Sequence, residues 1–335
     1  MTPAMPPIPV QRAPRPGAAL GGVTHSRYGD IDEQAAALTG WHQRYLQLSR
    51  GRFDGTVQRL QLDGVGLFIE DLHQSVHQTG WVRPDVFAIG VPLAVEGDAR
   101  FCGLAASSDT LHVFSGGSGF EFRSPQRHVM IGIEMDRPLY EAHVAPAAGE
   151  HATAGLHHAD PAVLGELRGF LVDLFQSAGP VAESQGEGHA PLRKQVRTQL
   201  LDRIALAMAP REAATAERHA RATSGQSALV VRATEYVASR LGDPPSVGEL
   251  CEVLGVSRRT LQSAFQVCWG MGPLAWLTTL RLNAVRRRLK SAASVTDAAT
   301  EFGFWHFGHF AGDYQALFGE CPSHTLRRHR HSGGH

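Results

Sequence analysis

SVGELCEVLGVSRRTLQSAFQVCWG, residues 246–270, decides the fold of the C-terminal third. Ser246 stands where a helix needs an N-cap, with Glu249 three residues on, the spacing of a capping box. Val247, Leu250, Cys251 and Leu254 then recur at i, i+3, i+4 and i+7, which is one buried face of a helix. Gly255 follows, a residue free to take the left-handed conformation that ends a helix. Val256 dips inward, Ser257 caps a second helix, and Leu261, Ala264, Phe265 and Cys268 repeat the buried spacing. The opposite face of that second helix carries Arg258, Arg259, Gln262, Ser263 and Gln266. Guanidinium, amide and hydroxyl groups on one helix face suit phosphates and base edges in a major groove.

The same grammar returns in SVTDAATEFGFWHFGHFAGDYQALFGECP, residues 294–322. Val295, Ala298, Ala299 and Phe302 repeat the first helix. Gly303 takes the turn, Phe304 dips in, and Phe307, Phe310, Tyr314 and Leu317 form the buried stripe of the second helix. One extra residue lengthens the second turn. A single such hairpin is common in plain cores; two in tandem predict a paired helix-turn-helix domain. GPLAWLTTLRLNAVRRRLKSA, residues 272–292, lies between them, with Pro273 placed for a first helical turn. A rod of roughly 20 residues spans about 30 Å, close to the ~34 Å between successive major-groove faces. Arg286 and Arg287 in its basic run suit phosphate contact, with a solvated helix face as the plainer reading.

LGVSRRTLQSAF, the Gly272-Pro273 helix start, LRLNAVRRRL and EFGFWHFGHFAGDYQALFGECPS resemble the AraC-type DNA-binding domain over its full length. Within that family SRRTLQ-AF, LNAVRR and GFWH-G-FA-DYQ-LF are most similar to the ethanolamine-operon activator subgroup, and TGWHQRYLQLSRGRFDG and FEFRSP echo it in the N-terminal half. The resemblance implies a ligand-responsive activator that binds promoter duplex DNA and contacts RNA polymerase. For the subgroup it implies ethanolamine with adenosylcobalamin as the signal; no cofactor is otherwise indicated. One departure stands out. Members often carry an Arg one turn into the exposed face of the second reading helix. Aligning Leu261 with Phe310 here sets Arg259 opposite Gly308, Gln262 opposite Ala311 and Ser263 opposite Gly312. Arg258, Arg259 and Gln262 are therefore expected to read bases, while His306, His309 and Gln315 contact the backbone and the second unit reads shape.

The 335 residues allow two domains, and the fold expected is α+β. Residues 1–25, rich in Pro, Ala and Arg without an apolar core, read as a disordered arm and not a signal peptide. Residues 26–210 read as a strand-rich, cupin-like or jelly-roll domain for ligand sensing or dimerisation, with a helical end. A helix is expected around Ile31–Leu48. Strands are expected at Thr56–Leu62, Val65–Glu70, Val86–Val95, Thr110–Phe114, Phe120–Arg123 and Val129–Met135, then helices at Pro161–Ser177 and Pro191–Met208. Gly179–Gly188 reads as a loop and residues 211–227, polar and Ala-rich, as the linker. The all-α domain with two helix-turn-helix units joined by a long helix then occupies 228–335.

Net charge is zero, yet Gly225–His335 holds 12 Arg and Lys against 8 Asp and Glu. That modest excess fits a DNA-binding half. Four scattered cysteines and no long apolar run read as a cytoplasmic protein that neither spans nor needs a membrane. The chemistry of an enzyme is not visible. His112 and His128 lack the neighbouring His and Glu of a metal cupin, His306 and His309 have no third ligand, and no Gly-x-Ser-x-Gly or phosphate loop occurs. A cupin enzyme fused to a DNA anchor is the remote alternative. A repair-type alkyl acceptor would want a cysteine cluster, and only Cys102 precedes position 250. A domain used for homodimerisation alone is the nearer alternative. Phe87, Phe101, Phe114, Glu121 and Trp81 offer aromatic and acidic groups for a small cation, without register to say which of them converge. His73 and His77 either line a pocket or lie on a half-buried surface.

Overall fold

The computed structural model describes residues 22–148, 154–180, 190–210 and 216–332. Its first elements are strand β1 (Gly22–Tyr28), helix α1 (Ile31–Ala37) and strand β2 (Trp41–Gln47). Next come β3 (Gly55–Leu62), β4 (Val65–Leu72), β5 (Val76–Val82), β6 (Val86–Glu96), β7 (Ala99–Phe101) and β8 (Leu104–Ala106). Strands β9 (Thr110–Ser115), β10 (Gly119–Arg123) and β11 (Arg127–Asp136) lead into helices α2 (Arg137–His143) and α3 (Ala145–Ala148). Strand β12 (Gly155–His158), helix α4 (Pro161–Ser177), the short β13 (Gly179–Pro180) and helix α5 (Ala190–Ala207) complete the N-terminal part. The rest is helical: α6 (Ala216–Ala238), α7 (Val247–Leu254), α8 (Arg258–Trp269), α9 (Pro273–Leu289), α10 (Val295–Glu301), α11 (Phe307–Phe318) and α12 (Pro322–Ser332).

Two sheets form, ordered β12-β9-β6-β11-β4-β3-β1-β13 and β2-β5-β10-β7-β8. Their strands pair antiparallel, apart from the parallel contact of β1 with β13. Period-two alternation sorts each side chain to one of two cores. On β11, Ile131, Ile133 and Met135 join Leu67, Val91 and Leu111 against Leu164, Leu171 and Ile204 of α4 and α5. Met130, just before them and on the opposite face, packs between the sheets with Phe101, Phe114, Phe120 and Phe122. The architecture is thus a β-sandwich backed by helices, followed by an all-helical domain.

All six expected strands are present within a residue or two, and α4 has the expected bounds. Helix α5 begins one residue early. The helix expected over Ile31–Leu48 stops at Ala37. Gly40 at φ 90 breaks it, and WHQRYLQ continues as a strand paired with β5, with Tyr45 and Gln47 buried. Residues 22–25 of the expected arm form the start of β1, Thr24 and His25 paired with β3 and Gly22 and Val23 with β13; residues 1–21 lie outside the described residues. In the expected linker, 211–215 lie outside the description, and the segment from Ala216 is already helix α6. Its Ala, Arg and Glu favour helix over loop. Of the loop expected over Gly179–Gly188, Gly179 and Pro180 pair with Gly22 and Val23, and 181–189 are outside the description.

Candidate DNA interface

The two helix-turn-helix units are α7–α8 and α10–α11. Ser246 accepts from the Glu249 N–H at 3.1 Å, while Glu249 itself turns to the Tyr236 hydroxyl at 2.8 Å. The capping box is therefore half formed. Ser257 accepts from Thr260 N–H at 3.1 Å and Ser294 from Asp297 N–H at 3.0 Å. Gly255 and Gly303 sit at φ 67 and 75, so both turns use the left-handed conformation for which glycine has no Cβ penalty. The reading helices α8 and α11 each run 12 residues and end at Gly270 and Gly319, both left-handed. Leu261, Phe265 and Trp269 are buried on α8; Phe310, Tyr314 and Phe318 occupy the matching places on α11. Phe307, expected in that buried stripe, is 43% exposed. It lies in the first turn, at the place Arg258 holds on α8, before the helix reaches its core.

Arg258, Arg259, Gln262, Ser263 and Gln266 are all exposed on α8, and His306, His309 and Gln315 on α11. Arg258, Arg259 and Gln262 border a groove of about 790 Å³ with Ser246–Gly248 of the α7 start and Leu274, Thr278 and Arg281 of α9. Arg281 escaped the sequence reading because it stands among apolar residues. Its Nε donates to the Phe302 carbonyl at 2.8 Å, its Nη2 to the Gly303 carbonyl, and its guanidinium lies 4.1 Å from the Phe304 ring centroid. Those carbonyls end α10, so Arg281 ties the connecting helix to the second unit. Gln315 borders a separate groove of about 600 Å³ whose wall includes Arg52, His324, Arg327 and Arg328. Helix α9 has 17 residues, a rod of about 25 Å, shorter than expected.

Arg286 and Arg287 do not line the groove beside α8; they are engaged in ion pairs. Asn283, Arg286, Arg287 and Lys290 recur at i, i+3, i+4 and i+7 and turn together toward the N-terminal domain. Arg286, with a side chain 4% exposed, donates to Glu320 at 2.9 Å and Asp30 at 3.5 Å. Arg287 donates to Asp32 at 2.9 Å and to the Tyr45 carbonyl. Lys290 reaches Asp30 at 2.6 Å and Asp32 at 2.7 Å. Burial works against the Asp30 carboxylate, but Lys290 and Arg286 hold its pKa below the ordinary value. Asn283 exchanges two 3.0 Å hydrogen bonds with the Gln47 backbone, and Gln47 Nε2 donates to the Leu317 carbonyl at 2.7 Å. The basic run is thus satisfied by carboxylates of its own chain. The first unit is docked as well: the His77 and Trp269 rings meet edge to face at 4.2 Å, and Leu48 packs among Leu229, Val230 and Phe265.

The groups proposed for a cation do not converge. Phe87 stacks on Tyr140 on the helix side, Phe101 and Phe114 lie between the sheets, and Trp81 is exposed against His42. Glu121 lies 3.1 Å from His77 at the domain contact, while His73 pairs with Asp71 at 3.5 Å. His112 and His128, separate in sequence, both lie between the sheets on either side of Phe122, at 5.0 and 4.9 Å. Among the described residues no group of three His, Cys, Asp or Glu is placed to hold a metal ion. No described helix is long and apolar enough to cross a membrane.

Residues 250–328 match a family model described as a helix-turn-helix domain. Over 103 residues the chain is 34% identical to the XylDLEGF operon transcriptional activator 3 of Pseudomonas putida. It is 36% identical over 103 residues to a probable thc operon regulatory protein of Rhodococcus erythropolis. Each alignment covers 30% of this chain and 31% of the relative, so the chain spans about a third of the length of these relatives. A solved structure described as a probable AraC family transcriptional regulator from Rhodopseudomonas palustris CGA009 is 35% identical, over 30% of this chain and 97% of that one, with a TM-score of 0.29. Over about a third of its length, through its paired helix-turn-helix units, the chain is thus similar to operon transcriptional activators and to a probable AraC family regulator.

Proposed function

We propose that the chain binds duplex DNA in a sequence-specific manner and regulates transcription, as an activator at promoters in contact with RNA polymerase. The observation that carries this reading is the repeat itself. Two units, whose second helices are related by a shift of 49 residues, present equivalent surfaces, one of them lined by Arg258, Arg259 and Gln262 beside Arg281. The full-length chain is expected to select a recurring sequence from a random duplex pool, with affinity falling steeply as salt rises. Absence of duplex binding at low salt would overturn the proposal.

We further propose that the N-terminal domain senses a small molecule. A cleft of about 580 Å³ is bordered by Trp41, His42, Arg44 and Trp81, and also by Asp32 and Arg287 of the interdomain clamp. An occupant would act directly on charges that join the domains. Ethanolamine with adenosylcobalamin is one pair to test, although the relatives above are named for xyl and thc operons. A thermal-shift screen of amines, cobalamins and carbon sources reads this out, since a ligand at a hundred times its Kd stabilises by about 2.7 kcal/mol. A domain that serves only homodimerisation would show no such shift and a concentration-dependent mass instead.

A further inference from the structure

Helix α11 is an unusual surface for a reading head. Its exposed face presents Gly308, Ala311 and Gly312 where α8 presents Arg259, Gln262 and Ser263. A Cβ added at Gly308 or Gly312 would meet nothing within 4 Å, so neither glycine is required by packing inside the chain. Each nevertheless weakens a helix relative to alanine. Beside this bare strip stand two large exposed apolar side chains, Trp305 at 71% and Phe307 at 43%. Phe307 takes the place that Arg258 holds in the first unit, and His306 stands at the N-cap without capping.

These features agree on one occupant. A helix face without long side chains lets the backbone approach the floor of a major groove. Among the groups displayed there, the thymine C5-methyl is the one recognised by apolar contact. Resting on the DNA-binding reading above, we propose that the second unit is a thymine reader: Gly308 and Gly312 admit α11 close to the bases, and Phe307 with Trp305 covers thymine methyls. The first unit reads by hydrogen bonds and the second by apolar fit.

The test uses the full-length chain on a duplex selected by it from a random pool. Each thymine of the site is replaced by deoxyuridine, which removes one methyl and leaves base pairing intact. Burying one methyl corresponds to about a fourfold change in affinity. At least one thymine in the half-site away from the first unit is expected to show that loss. Wild type should lose the dT preference there on combining Trp305→Ala with Phe307→Ala, while preferences in the other half-site persist. Gly312→Leu, which has room in the free protein, is expected to keep the thermal midpoint and lose more than tenfold in affinity. Equal affinity for dT and dU throughout, or a methyl preference that survives the double substitution, overturns the thymine reader and leaves DNA binding standing. A chain that selects no duplex overturns both.

Discussion

At the scale of single residues, the most demanding environment belongs to His112 and His128. Both are buried between the sheets, 1% and 0% exposed, and none of their four ring nitrogens has a hydrogen-bond partner among the described residues. Phe101 stacks on His112 at 4.7 Å and Phe122 touches both rings. Burial pushes each pKa down to about 3, with His128 adding to the effect on His112. The folded chain therefore keeps both rings neutral, whereas the unfolded chain protonates them below the ordinary histidine value of 6.5. The stabilisation is complete above that value and declines as pH falls toward the folded value. Urea unfolding is expected to show a loss of about 2 kcal/mol per histidine between pH 7 and pH 5. His112→Leu or His128→Leu should each remove half of that slope. A stability flat across the interval, or a slope unchanged in both variants, would contradict the burial argument.

At the scale of elements, α8 is the part whose chemistry resembles direct readout. Arg259→Ala or Gln262→Ala is expected to cost about 1–3 kcal/mol in duplex affinity and to relax preference at particular base pairs. Competition among duplexes carrying single base changes measures both effects. If His309 or Gln315 substitutions changed base preference more than these, the ranking of the two heads would be reversed. The reading helices were legible in sequence because caps, turn glycines and apolar spacing all pointed to one answer. Strands β2 and β5 were not. WHQRYLQ and VHQTGWV bury Tyr45, Gln47, His77 and Gln78 through hydrogen bonds and neighbours from distant elements, so their polarity hid the strand pattern. Glu70, for example, accepts from Gln34, Tyr45 and Gln78, three residues that no local period connects. The basic stripe of α9 was equally opaque. A row of arginines looks alike whether its partner is a phosphate or a carboxylate some 250 residues away, and only the docked structure distinguishes the two.

At the scale of the whole molecule, the interdomain clamp decides whether the two domains act as one body. Arg286 stands at its centre, buried between Asp30 and Glu320 with its guanidinium 4.8 Å from the Phe318 ring. Burial opposes ionisation of Glu320 too, and the Thr325 hydroxyl with Arg286 and Arg328 holds its pKa below the ordinary value. Two depressed carboxylates contribute stability above the ordinary carboxylate range, and that contribution is lost as pH falls through it. Removing one partner of such a pair leaves a buried charge uncompensated, so Arg286→Ala is expected to destabilise by about 3–5 kcal/mol. Asp32→Asn, at the more exposed edge beside Arg287 and Lys290, should cost much less. Calorimetry separates this from local damage: wild type should unfold with its domains coupled, and Arg286→Ala should split the transition. The difference between the two proteins should vanish as pH is lowered below the carboxylate range, where wild type loses the same ion pairs and should split as well. A single transition in both proteins at neutral pH would mean that Asn283, Gln47 and the Leu48 contact hold the domains without the ion pairs. A small molecule in the neighbouring cleft can then shift the regulator only by favouring one arrangement of these contacts over another. The clamp is where that difference in affinity would be registered, because Asp32 and Arg287 belong to both.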